Sequence, residues 1–308
     1  MVVGDQAVSV APERASWTDD PAEILAFAVS AFAEGPVALA TLVEIRGGAA
    51  RALGAQIAIT ASGRFCGFVS GGCIEAAVAA EAVQAIQAGK DRLVRFGKGS
   101  PFLDIVMPCG GGITVAIHLL RNARPLTEVL EHLSRRQPAG LRYVPEIQSL
   151  TCVRGPGPTG WASTSFTTMF KPKIRLILSG QSVEAEAVRR LASVLNFDVL
   201  TVDHNHTADM LFGEIDPLTA VVFLHHDLDA ETRLLPAALR SRAFHIGAIG
   251  SSRTHQKRRE TLKAMGFSDV AIGRIRGPIG LFGPARDAAS LALSVLAEIA
   301  ATRLAEAP

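Results

Sequence analysis

At 308 residues, with a formal net charge of +2 and 48% hydrophobic against 19% charged residues, the chain is long enough for two ordinary domains and too apolar for extensive disorder. So small a net charge excludes the strong basic field of a nonspecific nucleic-acid binder, and no nucleic-acid partner is expected. No uninterrupted apolar run reaches the roughly 18 residues of a membrane span, and Met1 to Gln6 lacks a basic stretch leading into an apolar one, so a cytoplasmic protein without membrane contact is expected.

The first 20 or so residues are polar and punctuated, and are expected to be poorly ordered at the start. Asp20-Pro21 then opens a helix in which Ile24, Phe27, Ala28, Ala31 and Phe32 recur at helical spacing until Gly35-Pro36. Residues 37–45, 54–60 and 65–69 read as three strands separated by tight turns, which implies an antiparallel sheet. An alanine-rich helix is expected from Cys73 to about Ala88. Strands over 93–96 and 113–120 close an α+β domain spanning residues 1–122.

Residues 123–172 read as a connecting segment: a short helix over 126–133, then a Gly-, Pro-, Ser- and Thr-rich stretch with one irregular hairpin. From 173 to 308 the texture becomes βαβ, the pattern of a Rossmann-like, doubly wound parallel sheet, so the chain is assigned to the α/β class. The strand over 174–179 runs into a turn at Gly180, and a second strand ends about 20 residues later in Asp203, where dinucleotide folds place an acid on a ribose hydroxyl. Ser182 stands where the second glycine of that motif lets a pyrophosphate approach, which argues against ordinary NAD(P) binding. A helix is expected over 230–239, and another from Arg286 to about Arg303.

Two turns carry a cysteine among glycines: Ser70-Gly71-Gly72-Cys73-Ile74-Glu75 and Pro108-Cys109-Gly110-Gly111-Gly112. At the first, helix-terminal N–H groups favour an anion and a thiolate, and Cys73 and Cys109 are candidates for soft-metal or sulfur chemistry. A structural cysteine at a tight turn is the alternative for each. Glu75 fits a general base, and equally an acid answering the helix dipole. The four cysteines, Cys66, Cys73, Cys109 and Cys152, include no Cys-x-x-Cys pair, which argues against zinc-ribbon or thioredoxin chemistry. In the second half, Gly250-Ser251-Ser252-Arg253 has the composition of an anion cradle at a helix start, or of an ordinary serine cap. His226 and Asp227, at a strand end, fit a ligand-orienting pair better than a zinc site. Gly277-Pro278-Ile279-Gly280 forms a late loop.

Taken together, Ser70 to Glu75, Pro108 to Gly111, Gly247-Ala-Ile-Gly-Ser-Ser-Arg-Thr-His255 and Gly277 to Gly280 resemble the signatures of the XdhC family, over nearly the whole chain. That resemblance implies a cytoplasmic accessory protein rather than an enzyme. It would bind molybdenum cofactor (molybdopterin) transiently while a cysteine desulfurase adds the terminal sulfur, then deliver it to a xanthine dehydrogenase-type molybdenum hydroxylase apoenzyme. It further implies a homodimer, with Cys73 and Cys109 near the metal. The loops at Gly180, Ser251 to Arg253 and Gly277 to Gly280 would hold the pterin phosphate end. Two positions depart from the family pattern: Ser182 replaces a glycine, and Phe282 stands where many members carry aspartate. The alternatives are an NAD(P)-dependent oxidoreductase, suggested by the fold and Asp203, and a Rossmann-type interaction adaptor. Against the former, the only tyrosine, Tyr143, is followed four residues on by Ile147, so a Tyr-x-x-x-Lys pair is missing.

Overall fold

The structure is a computed structural model that describes residues 11–98, 100, 110–203, 205–225 and 227–306. Its contacts divide the chain into two units, Met1–Pro172 and Lys173–Pro308.

The first unit runs β1 (Glu13–Ser16), α1 (Pro21–Glu34), β2 (Val37–Arg46), β3 (Gln56–Thr60), β4 (Arg64–Gly67), α2 (Glu75–Ala88), β5 (Arg92–Gly97) and β6 (Gly112–Leu119). Asp20 caps α1 by accepting from the Ala22 N–H at 2.9 Å, with Pro21 at the position where a missing N–H costs nothing. The strands form one sheet in the order β1-β4-β3-β2-β6-β5, and β2, β3 and β4 pair antiparallel as expected, although only β3 and β4 are joined by a tight turn, since a loop over residues 47–55 separates β2 from β3. Residues 13–16, expected to lack order, add an edge strand parallel to β4. The largely apolar run of β2 follows from burial on both faces: Ala38, Ala40 and Leu42 pack with Val78, Ala79 and Ala82 of α2, while Val37 and Leu39 pack with Ile24, Leu25 and Ala28 of α1.

Residues 123–172, read from the sequence as a connection with a short helix and one irregular hairpin, contain that helix and, in place of the hairpin, a second sheet. Helix α3 (Arg124–Ser134) leads to β7 (Ala139–Val144), β8 (Ser149–Arg154), β9 (Gly160–Ala162) and β10 (Ser165–Phe170), paired in the order β8-β7-β10-β9. The Gly and Pro content suggested a linker, but Phe166, Thr168 and Phe170 are buried in alternation along β10. Tyr143 of β7 reaches Asp91, its hydroxyl donating to Oδ2 at 2.9 Å, and the same oxygen lies 2.6 Å from His118 Nδ1 on β6. Burial, which pushes the Asp91 carboxyl up, is outweighed by His118 and the Leu119 N–H, so it stays below its ordinary range. The buried Tyr143 phenol is pushed well above its own.

The second unit runs β11 (Arg175–Ser179), α4 (Val183–Val194), β12 (Asp198–Val202), α5 (Ala208–Glu214), β13 (Thr219–Phe223), α6 (Leu228–Thr232), α7 (Leu235–Arg240), β14 (His245–Ala248), α8 (Ser252–Ala264), α9 (Asp269–Ile272), β15 (Ile275–Arg276) and α10 (Ala288–Glu306). All strands are parallel, in the order β12-β11-β13-β14-β15. Helices α4 and α10 cover one face through Val188, Ala192, Val295 and Ile299, and Leu211, Leu235, Leu239 and Leu262 cover the other, giving the doubly wound fold. The helix expected over 230–239 is instead two short ones, with Pro236 in the first turn of the second. Among the described residues only α10 is long and apolar enough to cross a membrane, and its Ala292, Val295, Leu296 and Ile299 are buried in this core.

Candidate functional site

In the first unit, β4 ends at Gly67 and the chain passes through Ser70 to Cys73 before α2 begins. The helix starts at Glu75 with Ile74 as its cap, so Cys73 lies just before the first turn rather than within it. Its thiol is exposed, 3.6 Å from Ser70 Oγ. Glu75 is buried and holds the loop: Oε1 accepts from the N–H groups of Val69 (3.2 Å) and Ser70 (2.8 Å) and from Ser70 Oγ (2.8 Å), while Oε2 accepts from the Ile74 N–H (3.2 Å). A carboxylate so fully engaged anchors the loop. Gly71 and Gly72 are exposed beside the thiol.

The loop between β2 and β3 meets this turn. Arg51 donates to Ser70 O at 3.4 Å and to Asp19 Oδ2 at 2.6 Å. The same connecting loop also meets the second glycine turn, because a Cβ on Gly111 would collide with Gly48 O, so only glycine fits there. Arg46 fastens this side by donating to Thr114 Oγ1 at 2.7 Å and Ile113 O at 3.2 Å. Glu44, hydrogen-bonded by Thr114 and facing Arg46, sits below the usual carboxylate range. Gly110 is exposed at this turn; Cys109 lies outside the described residues. Sequence reasoning missed Arg46 and Arg51, whose partners lie far along the chain. No group of three His, Cys, Asp or Glu side chains disposed to hold a metal occurs among the described residues.

In the second unit the candidate residues cluster at the carboxyl ends of the parallel strands, where such sheets bind ligands. Gly180, at φ 143°, passes so close to β13 that a Cβ would meet Leu224 O at 2.6 Å. With Ser182 and Asp203 it lines a cavity of about 330 Å³. Ser182 caps α4, accepting from the Ala185 N–H at 3.2 Å. Asp203 accepts from the Asn205 N–H at 2.9 Å and pairs with His206 at 3.0 Å, so its carboxylate organises its own loop as well as facing the cavity.

A second cavity, of about 1010 Å³, gathers Gly250, Ser251 and Ser252 with Gly280, Phe282 and the start of α4 at Val183. Ser251 caps α8 by accepting from the Thr254 N–H at 3.1 Å. Arg253 is exposed but does not line this cavity, and Gly277 packs instead against the His255 ring. Under the cradle lies a buried ion pair, Arg258 to Glu231 at 2.6 Å, and Arg258 also donates to Ile249 O at 2.8 Å. Asp227 caps α6, accepting from the Asp229 N–H at 3.0 Å, and is not brought to the cradle. His226 lies outside the described residues. The neighbouring His225, not singled out from sequence, is 2.8 Å from Ser179 Oγ, and burial holds it below the ordinary histidine range.

Residues 176–299 match the XdhC Rossmann domain, and residues 31–97 match the XdhC and CoxI family. Over 298 residues, 95% of this chain and 92% of the relative, the chain is 49% identical to the molybdenum cofactor insertion chaperone PaoD of Escherichia coli (strain K12). The chain belongs to the XdhC family. Among solved structures it resembles a Bacillus halodurans protein described as a xanthine dehydrogenase, with TM-score 0.74, 93% of this chain and 96% of that chain covered, and 19% identity, a likeness of fold. Both XdhC matches fall on elements described above: the first unit's β2 to β5 with the Cys73 turn, and nearly all of the Rossmann sheet.

Proposed function

We propose that the protein is a molybdenum cofactor chaperone that binds the cofactor as cargo, protects it and inserts it into a molybdenum hydroxylase of the xanthine dehydrogenase type. The observation that carries this reading is the end-to-end 49% identity to a molybdenum cofactor insertion chaperone, which spans both the Cys73 turn and the Rossmann loops. The geometry supports it: an exposed thiol on a loop fixed by Glu75 offers a soft donor to a metal. A large cavity edged by the start of α8 offers backbone N–H groups to a phosphate. In this reading Cys109 and the Gly110 turn, like Cys73, are candidates for contact with the metal, and Gly180, Ser182, Gly250 to Arg253 and Gly277 to Gly280 are candidates for contact with a phosphate.

Binding is transient, in the cytoplasm, and a cysteine desulfurase supplies the terminal sulfur while the cofactor is held. The protein acts as a homodimer, a reading supported by exposed Leu293 and Leu304 on α10. NAD(P) is not its ligand, because Ser182 and the self-engaged Asp203 replace the usual dinucleotide contacts. The test is to purify the protein from cells making the cofactor and assay its oxidised, fluorescent pterin. Near-stoichiometric pterin is expected in wild type and substantially less in Cys73→Ala at unchanged thermal midpoint. Equal pterin in wild type, Cys73→Ala and Cys109→Ala removes the thiolate role. Micromolar NADPH affinity in calorimetry, instead of the millimolar or weaker affinity expected (on the order of −4 kcal/mol), favours the oxidoreductase.

A further inference from the structure

Trp17 is 83% exposed, on the short segment between β1 and α1. An indole normally contributes its large apolar surface to a core or an interface, so one left in water invites a ligand explanation. This one is held in place from beneath. The Arg14 guanidinium lies 4.6 Å from the Trp17 ring centroid, 4.7 Å from that of Phe65 and 4.1 Å from that of Phe68, and it donates to Gly67 O at 3.1 Å. Phe68 itself sits 5.9 Å from Trp17, centroid to centroid.

This platform is joined to the Cys73 loop by two independent ties. Phe68 immediately precedes Val69 and Ser70, whose N–H groups Glu75 holds. Arg51 bridges Asp19, two residues after Trp17, to Ser70 O, while stacking 5.3 Å above Phe68. An exposed indole of fixed orientation and an exposed thiol therefore belong to one hydrogen-bonded and stacked network.

We propose that Trp17 is the stacking surface for the planar aminopyrimidinone end of the pyranopterin of the cargo whose metal end Cys73 meets, with Arg14 and Arg51 as positioning residues that hold the indole and the thiol loop in register. This inference rests on the molybdenum cofactor reading. The chemistry suits a planar heterocycle such as that pyrimidinone ring: an electron-rich indole face stacks on it, as aromatic side chains stack on nucleobases.

The experiment titrates wild type with molybdenum cofactor released anaerobically from a donor molybdoenzyme, and separately with pterin-6-carboxylate, following tryptophan emission. The chain has two tryptophans, so the difference between wild type and Trp17→Phe isolates the signal of Trp17. Saturable quenching of that difference signal is expected with both probes. Trp17→Ala weakens cofactor binding about tenfold to a hundredfold, the range of one aromatic stack, whereas Trp17→Phe retains most of it and neither shifts the thermal midpoint. Arg51→Ala reduces the quench at saturation and alters Trp17 emission before ligand is added, and Arg51→Lys restores both; an unchanged quench in Arg51→Ala removes Arg51 from the proposal. If wild type binds cofactor and Trp17→Ala binds it equally well, the stacking role is overturned while the chaperone reading stands. Equal cofactor binding with loss of apoenzyme binding assigns Trp17 to a protein interface instead. No cofactor binding by wild type overturns both.

Discussion

Glu75 shows how much one side chain can decide. It is placed where a helix-dipole acid belongs, yet its two oxygens take the N–H groups of Val69, Ser70 and Ile74 and the Ser70 hydroxyl, so the shape of the thiol loop depends on it. Removing a buried acceptor strands its donors, at about 1–3 kcal/mol. Glu75→Ala is therefore expected to lower urea-unfolding stability by about that amount, and Glu75→Gln by less, since one oxygen remains. Equal stability of Glu75→Ala and wild type would show that the loop holds itself. The local pattern Ser70-Gly-Gly-Cys-Ile-Glu75 was legible as a candidate site, but which of its residues faces outward and which anchors was not. Cys73 and Glu75 differ only in the direction each side chain takes, and packing sets that.

Among the elements, the serine caps were the most readable. Ser182 and Ser251 each precede a helix and each accepts from the N–H three residues on, a relation that lies wholly within a short window. The cradle that Ser251 opens is supported from elsewhere. Arg258 of α8 reaches back to Glu231 of α6 and to Ile249 O at the end of β14, both side chains fully buried. Burial pushes the Glu231 carboxyl up despite the guanidinium beside it, so neither charge tolerates losing its partner. Arg258→Met is expected to cost about 3–5 kcal/mol by leaving Glu231 uncompensated, whereas Arg258→Met with Glu231→Leu recovers most of it. Chemical unfolding of wild type, Arg258→Met, Glu231→Leu and the double variant checks this; a double variant as unstable as Arg258→Met would mean that the Ile249 contact dominates. The basic stretch of α8, residues 253 to 259, thus contains one arginine that is not solvated at all.

For the whole molecule, acid sensitivity in the mild range is expected to come from His245. It is buried on β14, its Nδ1 is 3.3 Å from Thr302 Oγ1, and its Nε2 is buried without a partner. Burial and then the Arg276 charge push it down to about 4 from an ordinary 6.5. The unfolded chain therefore binds a proton between those values that the folded chain refuses, and stability falls as pH drops from about 6.5 to about 4, by up to about 3 kcal/mol. His245→Phe is expected to flatten that part of the profile of thermal midpoint against pH; an unchanged slope would place the acid sensitivity in another group. Asp91, held below its ordinary range, acts in the same sense on a separate, lower window, contributing stability above its unfolded value and losing it at lower pH.

By itself the sequence determined the two textures of this protein, the antiparallel meander and then the βαβ repeats, because hydrophobic period and glycine turns are properties of neighbouring residues. It also marked the Cys73 turn and the Gly250 cradle, since tight turns into helices demand those residue types locally. Only the tertiary structure decided that residues 139 to 170 form a sheet, that loop 46–51 meets both glycine turns, and that Trp17 stands exposed over Arg14 beside them. Each of those depends on contacts between residues distant along the chain, and such contacts leave no periodicity in any local window.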